Sequence, residues 1–301
     1  MSAGAQARPT LILAPQIGLD ASVAARTVAA RMVALVRQVR ARGHAVRFLC
    51  SERPLTRLGR SAEIARLVEE QEPSAIRWLD IRSDRDAYYL LWPRDGLQDW
   101  LQFAAVAPEP SMAALAASFG IASPRVSPLC EGGLFVRSGE QVLVSSALAE
   151  GAEADLPSQV LCAIIPHPFA SDLYRREQPS DVALTHIDFD CCLVRSPDGT
   201  PWCLVSDRYH RAYRPRFERA AERLGLHVFV APQDEVMRRG LNLVALSPRA
   251  VLAPAGCPQI LAFLSDLLGT EAVIALSIDE TFNYNGGRGG LACMSTLVYE
   301  R

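Results

Sequence analysis

The feature that most limits the folds open to this chain is a hairpin that returns three times. Gly133 to Val136 reads as a strand, Arg137-Ser138-Gly139-Glu140 turns, and Gln141 to Ser145 returns. Ile187 to Val194 reads as a second strand, Arg195-Ser196-Pro197-Asp198-Gly199-Thr200 turns, and Trp202 to Ser206 returns. Asn242 to Leu246 opens a third copy, which turns at Ser247-Pro248-Arg249 and returns through Val251 to Ala253. Each places turn-forming residues between two apolar runs, the pattern of a hairpin. The first two copies share Val-Arg-Ser at the turn. Helices expected over Arg214 to Leu224 and Pro258 to Leu268 follow the second and third copies. Short strands, His227 to Val230 and Ala272 to Leu276, come next. Hairpin, helix and strand recur at about fifty to sixty residues, and such a period points to units set around an axis. The alternative is ordinary α/β sequence whose hairpins coincide by chance.

The N-terminal part alternates strand and helix. Strands are expected at Pro9 to Pro15, Ala45 to Cys50 and Ala87 to Trp92, and helices at Ala21 to Arg42, Ser61 to Glu72 and Ser111 to Phe119. Alternation of this kind is an α/β signature. The 301 residues, half of them hydrophobic, suffice for a full core. The organisation expected is a loose tail over residues 1–8 and a single catalytic domain over 9–301. A net charge of −2 provides no basic field for nucleic acid. No apolar run reaches the length of a membrane span, and residues 1–10 lack an apolar signal core, so no membrane partner and a cytoplasmic location are expected. A homodimer remains open. None of the eight cysteines sits in a CxxC pair and none has zinc spacing, so reduced core residues are expected, Cys293 excepted. Cys130 is set apart second because it abuts Glu131. No metal or organic cofactor is expected.

Four segments carry candidate chemistry. Asn285-Gly286-Gly287-Arg288-Gly289-Gly290-Leu291-Ala292-Cys293 surrounds one arginine with four glycines and ends on a cysteine. Glycine lets backbone pass close to a ligand, and a thiol at the rim of such a loop is placed to act as a nucleophile. The plainer reading is a flexible loop with Cys293 as a small core filler. Thr185 to Asp190 alternates, so on a strand His186, Asp188 and Asp190 would share one face. That face is either solvent-exposed or a base and acids inside a pocket. In Cys130-Glu131-Gly132-Gly133, the two glycines would let backbone lie against a flat ligand, although acid-Gly-Gly also makes ordinary turns. Trp92-Pro93-Arg94-Asp95 leaves a strand end, where α/β folds place their sites, though an Arg-Asp pair is equally a surface ion pair. Carboxylates converging on a thiol raise its pKa. The set makes sense if the substrate is a cation. A planar guanidinium would be gripped by Asp95, Glu131 and Asp188 in paired hydrogen bonds, and its charge would favour the thiolate.

With these segments in hand the sequence resembles the guanidine-modifying superfamily with the pentein fold, the group of arginine deiminase, agmatine deiminase, dimethylarginine hydrolase and amidinotransferases. The motifs are Trp92 to Asp95, Glu131 to Gly133, His186 to Asp188 and Gly287 to Ser295; they occur in the family's order and span about two thirds of the chain. The resemblance implies an α/β propeller of five ββαβ units around a pseudo-five-fold axis. It implies Cys293 as the nucleophile on the guanidinium carbon, with Asp95 and Asp188 holding the guanidinium nitrogens beside Arg94. Glu131 would hold or orient His186, which would protonate the departing amine and then activate water against a covalent thiouronium. Arg288 matches the position that in arginine deiminase grips the substrate carboxylate, which implies an arginine-like amino acid and a citrulline-type product. Two positions depart from the family: Leu134 stands where Asp or Asn is usual, and Ala292 where arginine deiminase often has arginine. The implied reaction is a deiminase hydrolysis. The alternatives are transfer of the amidino group to an amine, an amine-releasing hydrolysis of a dialkylarginine, and a non-catalytic binding protein of the same fold.

Overall fold

The computed structural model describes residues 10–13, 24–51, 61–79, 132–146, 161–167, 186–277, 291–292 and 295–298. Its contacts divide the chain into two compact units, one of Met1–Ser127 with Ser277–Arg301 and one of Pro128–Leu276.

In the first unit, β1 (Thr10–Leu13) is followed by α1 (Ala25–Ala41), β2 (Ala45–Ser51), α2 (Ser61–Glu69) and β3 (Ile76–Leu79). The helix α1 forms because Val28, Met32, Leu35, Val36 and Val39 recur at helical spacing and bury one face. The helix expected to reach Glu72 stops at Glu69. Pro73 disfavours helical backbone in the residue before it, and Glu72 sits at φ −138° and ψ 72°. Its carboxylate accepts Arg37 Nε at 2.9 Å and Arg40 Nη1 at 2.7 Å. These bonds, Arg37's first, hold it below the usual carboxylate range. The strand β3 had no counterpart in the sequence reading; it pairs parallel to β2, with Phe48 opposite Ile76.

The second unit contains β4 (Phe135–Ser138), β5 (Gln141–Ser145) and β6 (Leu161–Ile165). Next come the single turn α3 (Ile187–Asp190), β7 (Cys191–Arg195), β8 (Pro201–Ser206), α4 (Asp207–Arg223) and β9 (His227–Ala231). The last elements are α5 (Gln233–Met237), β10 (Val244–Ser247), β11 (Ala250–Pro254), α6 (Pro258–Leu268) and β12 (Val273–Leu276). They build three sheets of one design: an antiparallel hairpin whose second strand pairs parallel with a third. The first strands are neighbours, β4 beside β7 and β7 beside β10. The repeat read from the sequence is therefore real, and β6 completes its first copy. A fourth sheet, in the first unit, follows the same order. There the C-terminal strand Ser295–Val298 runs antiparallel to β1, which pairs parallel with β2 across α1.

The shared Val-Arg-Ser has a physical reason. Arg137 Nε donates to the Gly139 carbonyl at 2.7 Å in the first turn, and Arg195 Nη1 donates to the Gly199 carbonyl at 2.9 Å in the second. Gly139 (φ 61°) and Gly199 (φ 91°) occupy the left-handed region that only glycine enters cheaply. Arg195 also donates to Ser138 O at 3.3 Å and to Gln141 Oε1, so one guanidinium ties two hairpin tips together.

Three further expectations are corrected. Residues 132–134 form a short 3-10 turn, and the first strand begins only at Phe135. Residues 187–190 form a helical turn instead of the start of a strand, and β7 begins at Cys191. The helix expected from Arg214 starts at Asp207. Ser206 caps it by accepting Tyr209 N at 3.1 Å, and it kinks at Tyr213 two residues before Pro215. Cys50, Cys162, Cys191, Cys192, Cys203 and Cys257 are buried free thiols, as expected; burial pushes Cys50 up to about 12. Cys130, the strand at Ala87 to Trp92 and the helix at Ser111 to Phe119 lie outside the described residues. No helix among the described residues is long and apolar enough to cross a membrane.

The buried Glu235 caps α6 from a distance, its two oxygens accepting Gln259 N at 2.8 Å and Ile260 N at 2.9 Å. Glu235→Ala orphans both amides and is expected to lower unfolding free energy by about 1–3 kcal/mol. Urea denaturation checks this, with the midpoint falling at unchanged m-value.

Candidate functional site

Of the residues singled out in the sequence, His186 and Asp188 are described. Asp95, Arg94, Glu131, Arg288 and Cys293 lie outside the described residues. His186 immediately precedes α3 and Asp188 lies within it, and residues of β8 and of the 239–242 segment fix that turn.

A helix of four residues cannot sustain itself, because forming the first turn costs more backbone entropy than one hydrogen bond returns. The turn is pinned from outside. Asp190, fully buried, accepts Ser206 Oγ at 2.7 Å. Asp188, 6% exposed, accepts Asn242 Nδ2 at 2.9 Å on its Oδ2. Cys191 Sγ donates to Ile187 O at 3.2 Å, and the Arg239 guanidinium lies 4.6 Å from the centre of the Phe189 ring. Arg239 is the one described non-glycine residue with positive φ, at 67°. Its carbonyl accepts Asn242 N at 3.0 Å. The strict face alternation expected over residues 186–190 does not hold: Ile187 is buried along with Asp188 and Asp190. The two carboxylates turn to different partners, one on β8 and one just before β10.

His186 caps the turn with extended backbone, φ −76° and ψ 151°. Gly133 lies against its ring. A Cβ built at Gly133 would overlap the His186 Nδ1, Cγ and Cβ atoms. The glycine pair was expected to let backbone lie against a flat ligand. At Gly133 the flat group it approaches is the imidazole of His186. Gly133 and His186, more than fifty residues apart in sequence, are thus packed against one another.

A second imidazole stands nearby. His167 follows the end of β6, and its Nδ1 is 2.8 Å from Ser145 Oγ, at the end of β5; which of them donates depends on the imidazole tautomer. Its backbone N donates to Ser146 Oγ at 2.8 Å. Burial lowers the His167 pKa, and the charge of His186 lowers it further. The preceding carbonyl, of Pro166, accepts the buried Tyr209 hydroxyl at 2.6 Å. Tyr209, Ser206 and Asp190 therefore link the α3 turn to the His167 segment through hydrogen bonds. None of Ser145, His167, Asn242 or Ser206 was picked out in the sequence. The available signal was position, since each is a polar residue at the end of an apolar strand or just before one.

The arrangement offers an imidazole held against backbone, a second imidazole within its electrostatic reach and a buried, hydrogen-bonded carboxylate two residues away. An imidazole and a carboxylate are the group types that transfer protons and pair with cations.

No model of a known protein family matches the sequence, and no curated protein matches it. Solved structures do. A structure assigned as an agmatine deiminase has 13% identity over 96% of this chain and 92% of its own, with a TM-score of 0.54. The amidinotransferase of the saxitoxin biosynthetic pathway from Microseira wollei has 15% identity over 98% and 94%, with a TM-score of 0.47. A dimethylarginine dimethylaminohydrolase has 12% identity over 97% and 100%, with a TM-score of 0.43. All three are pentein-superfamily proteins. At this identity the first likeness is one of fold alone, and it agrees with the α/β architecture of this chain.

Gly133→Ala forces the His186 ring aside. The expected cost is about 1–3 kcal/mol of stability, with displaced His186 imidazole resonances, read by thermal melting and by NMR of labelled histidine. His167 supplies a pH test. Its lowered folded pKa means the unfolded chain binds the proton more readily. Its contribution to stability is complete above the unfolded value, about 6.5, and is lost as pH falls through the folded value. His167→Gln is expected to flatten the fall in melting temperature below about pH 6.5.

Proposed function

We propose that the protein is a cysteine hydrolase of a guanidino compound, a deiminase releasing ammonia from arginine or an arginine-like amino acid. The observation that carries the reading is the contact of Gly133, in the Glu-Gly-Gly segment, with the ring of His186, two residues from a buried Asp188. That contact joins one residue from each of two motifs of the resemblance, and the likeness in fold to the agmatine deiminase structure supports the same reading.

In this reading Asp95 and Asp188 bind the guanidinium nitrogens, and Arg94 flanks Asp95. The cation they hold lowers the cost of ionising Cys293. The Cys293 thiolate attacks the guanidinium carbon and forms a C–S bond. The C–N bond to the leaving nitrogen then breaks, and His186 gives that nitrogen its proton, so ammonia departs and a covalent thiouronium remains. His186, oriented by Glu131, next takes a proton from water. The resulting hydroxide adds to the same carbon, the C–S bond breaks, and the thiolate returns with a ureido product. Arg288 pairs with the substrate carboxylate, which selects an amino acid over a simple amine. The five-unit propeller belongs to this proposal as the frame that brings the four segments together.

The test is incubation with arginine and a panel of guanidino compounds, scoring ammonia, ureido product and any released amine. Ammonia with a ureido product, abolished by Cys293→Ala and lowered at least a hundredfold by His186→Ala, is the expected result. Turnover that appears only with an added amine acceptor identifies amidino transfer. Release of an alkylamine identifies a dialkylarginine-type hydrolase. Absence of any turnover, together with no labelling of Cys293 by a thiol-reactive amidine, leaves a binding protein and overturns the enzyme reading.

A further inference from the structure

We propose that Asn242 is a positioning residue for substrate binding: its side-chain amide aims the Asp188 carboxylate at the guanidinium. The inference rests on the guanidino reading above and adds a residue that none of its motifs contains.

The geometry is specific. Asn242 Nδ2 donates to Asp188 Oδ2 at 2.9 Å, with the two residues 2% and 6% exposed. The donor that reaches Asp188 comes from 54 positions further along the chain. An amide is a donor without charge, so it orients a carboxylate without itself supplying a cation to neutralise it. A lysine or arginine at this position would compete directly with a cationic substrate.

Asn242 is itself held. Its backbone N donates to Arg239 O at 3.0 Å, and Arg239 adopts left-handed backbone, an unfavourable conformation for a side-chain-bearing residue. Its guanidinium then lies over Phe189, the neighbour of Asp188 on the same turn. The adjacent Gly240 is tightly enclosed, since a Cβ there would meet Ile260, Glu235 O and Cys257 Sγ. Residues 239–242 therefore grip α3 at two successive positions, Asp188 through Asn242 and Phe189 through Arg239. A substrate-binding carboxylate needs placement to a fraction of an ångström, and support of this kind provides it.

The experiment compares Cys293→Ala protein, which binds without turnover, with the double variants Cys293→Ala/Asn242→Ala and Cys293→Ala/Asn242→Asp by calorimetry with arginine and the guanidino panel. The Asn242 variants with Cys293 intact give KM and kcat, and melting temperature is recorded throughout. The expected result is at least a tenfold rise in Kd and KM for Asn242→Ala with kcat changed less than threefold. Asn242→Asp, equal in size but placing a second carboxylate against the first, should lose more. A purely structural role lowers melting temperature and active fraction at unchanged Kd and KM, and that outcome overturns the proposal. So does failure of both variants to fold, which makes the residue structural. If the Cys293→Ala protein binds no guanidino compound at all, the guanidino reading itself falls and takes this inference with it. Binding by that protein but equally by its Asn242 variants sinks the positioning role alone.

Discussion

Everything described around the candidate site depends on one close contact, the backbone at Gly133 lying against the imidazole of His186. It is a packing constraint before it is a chemical one. A ring packed against backbone, on a residue whose own backbone opens a helical turn, has few rotamers left. The turn it caps is too short to persist alone, so it borrows its order from Ser206, Asn242 and Arg239, residues that arrive from two later segments. The cost of holding polar groups in that interior is offset by giving each a partner, which is how buried carboxylates are tolerated at all.

The repeat supplies the places from which those partners come. Ser145 and Ser206 both end the second strand of a hairpin, β5 in one sheet and β8 in the next. Ser145 meets His167 and Ser206 meets Asp190, so equivalent ends of successive sheets deliver polar side chains to neighbouring segments. The other ends of the hairpins are tied by arginines on their own turn carbonyls, and Arg195 bridges two of them. One end of the repeat thus carries structural hydrogen bonds and the other carries the candidate chemistry. That division resembles the way strand-end loops serve many α/β proteins.

Much of this was legible. The hairpins, the helix Pro258–Leu268 and the buried cysteines follow from alternation, turn residues and apolar spacing, which are local properties. What failed, failed for reasons that lie outside the local sequence. Thr185 to Asp190 has perfect strand alternation, yet residues 187–190 coil into a turn because buried partners for Asp188 and Asp190 lie in different directions. The four-residue β3 and the unflagged β6 are strands because a parallel neighbour is present to pair with them. Asn242 carried no motif, and its importance exists only through a donor–acceptor distance across 54 residues.

By itself the sequence determined the hairpin, helix and strand repeat and the burial of the described cysteines. Those depend on composition, period and the chemistry of single side chains. Only the tertiary structure decided that the second glycine of Glu-Gly-Gly serves the histidine's ring, that the acidic turn is helical, and that an asparagine far along the chain holds its aspartate. Contacts between distant segments are fixed by packing and by the need to satisfy buried polar atoms, and neither is written in the order of neighbouring residues.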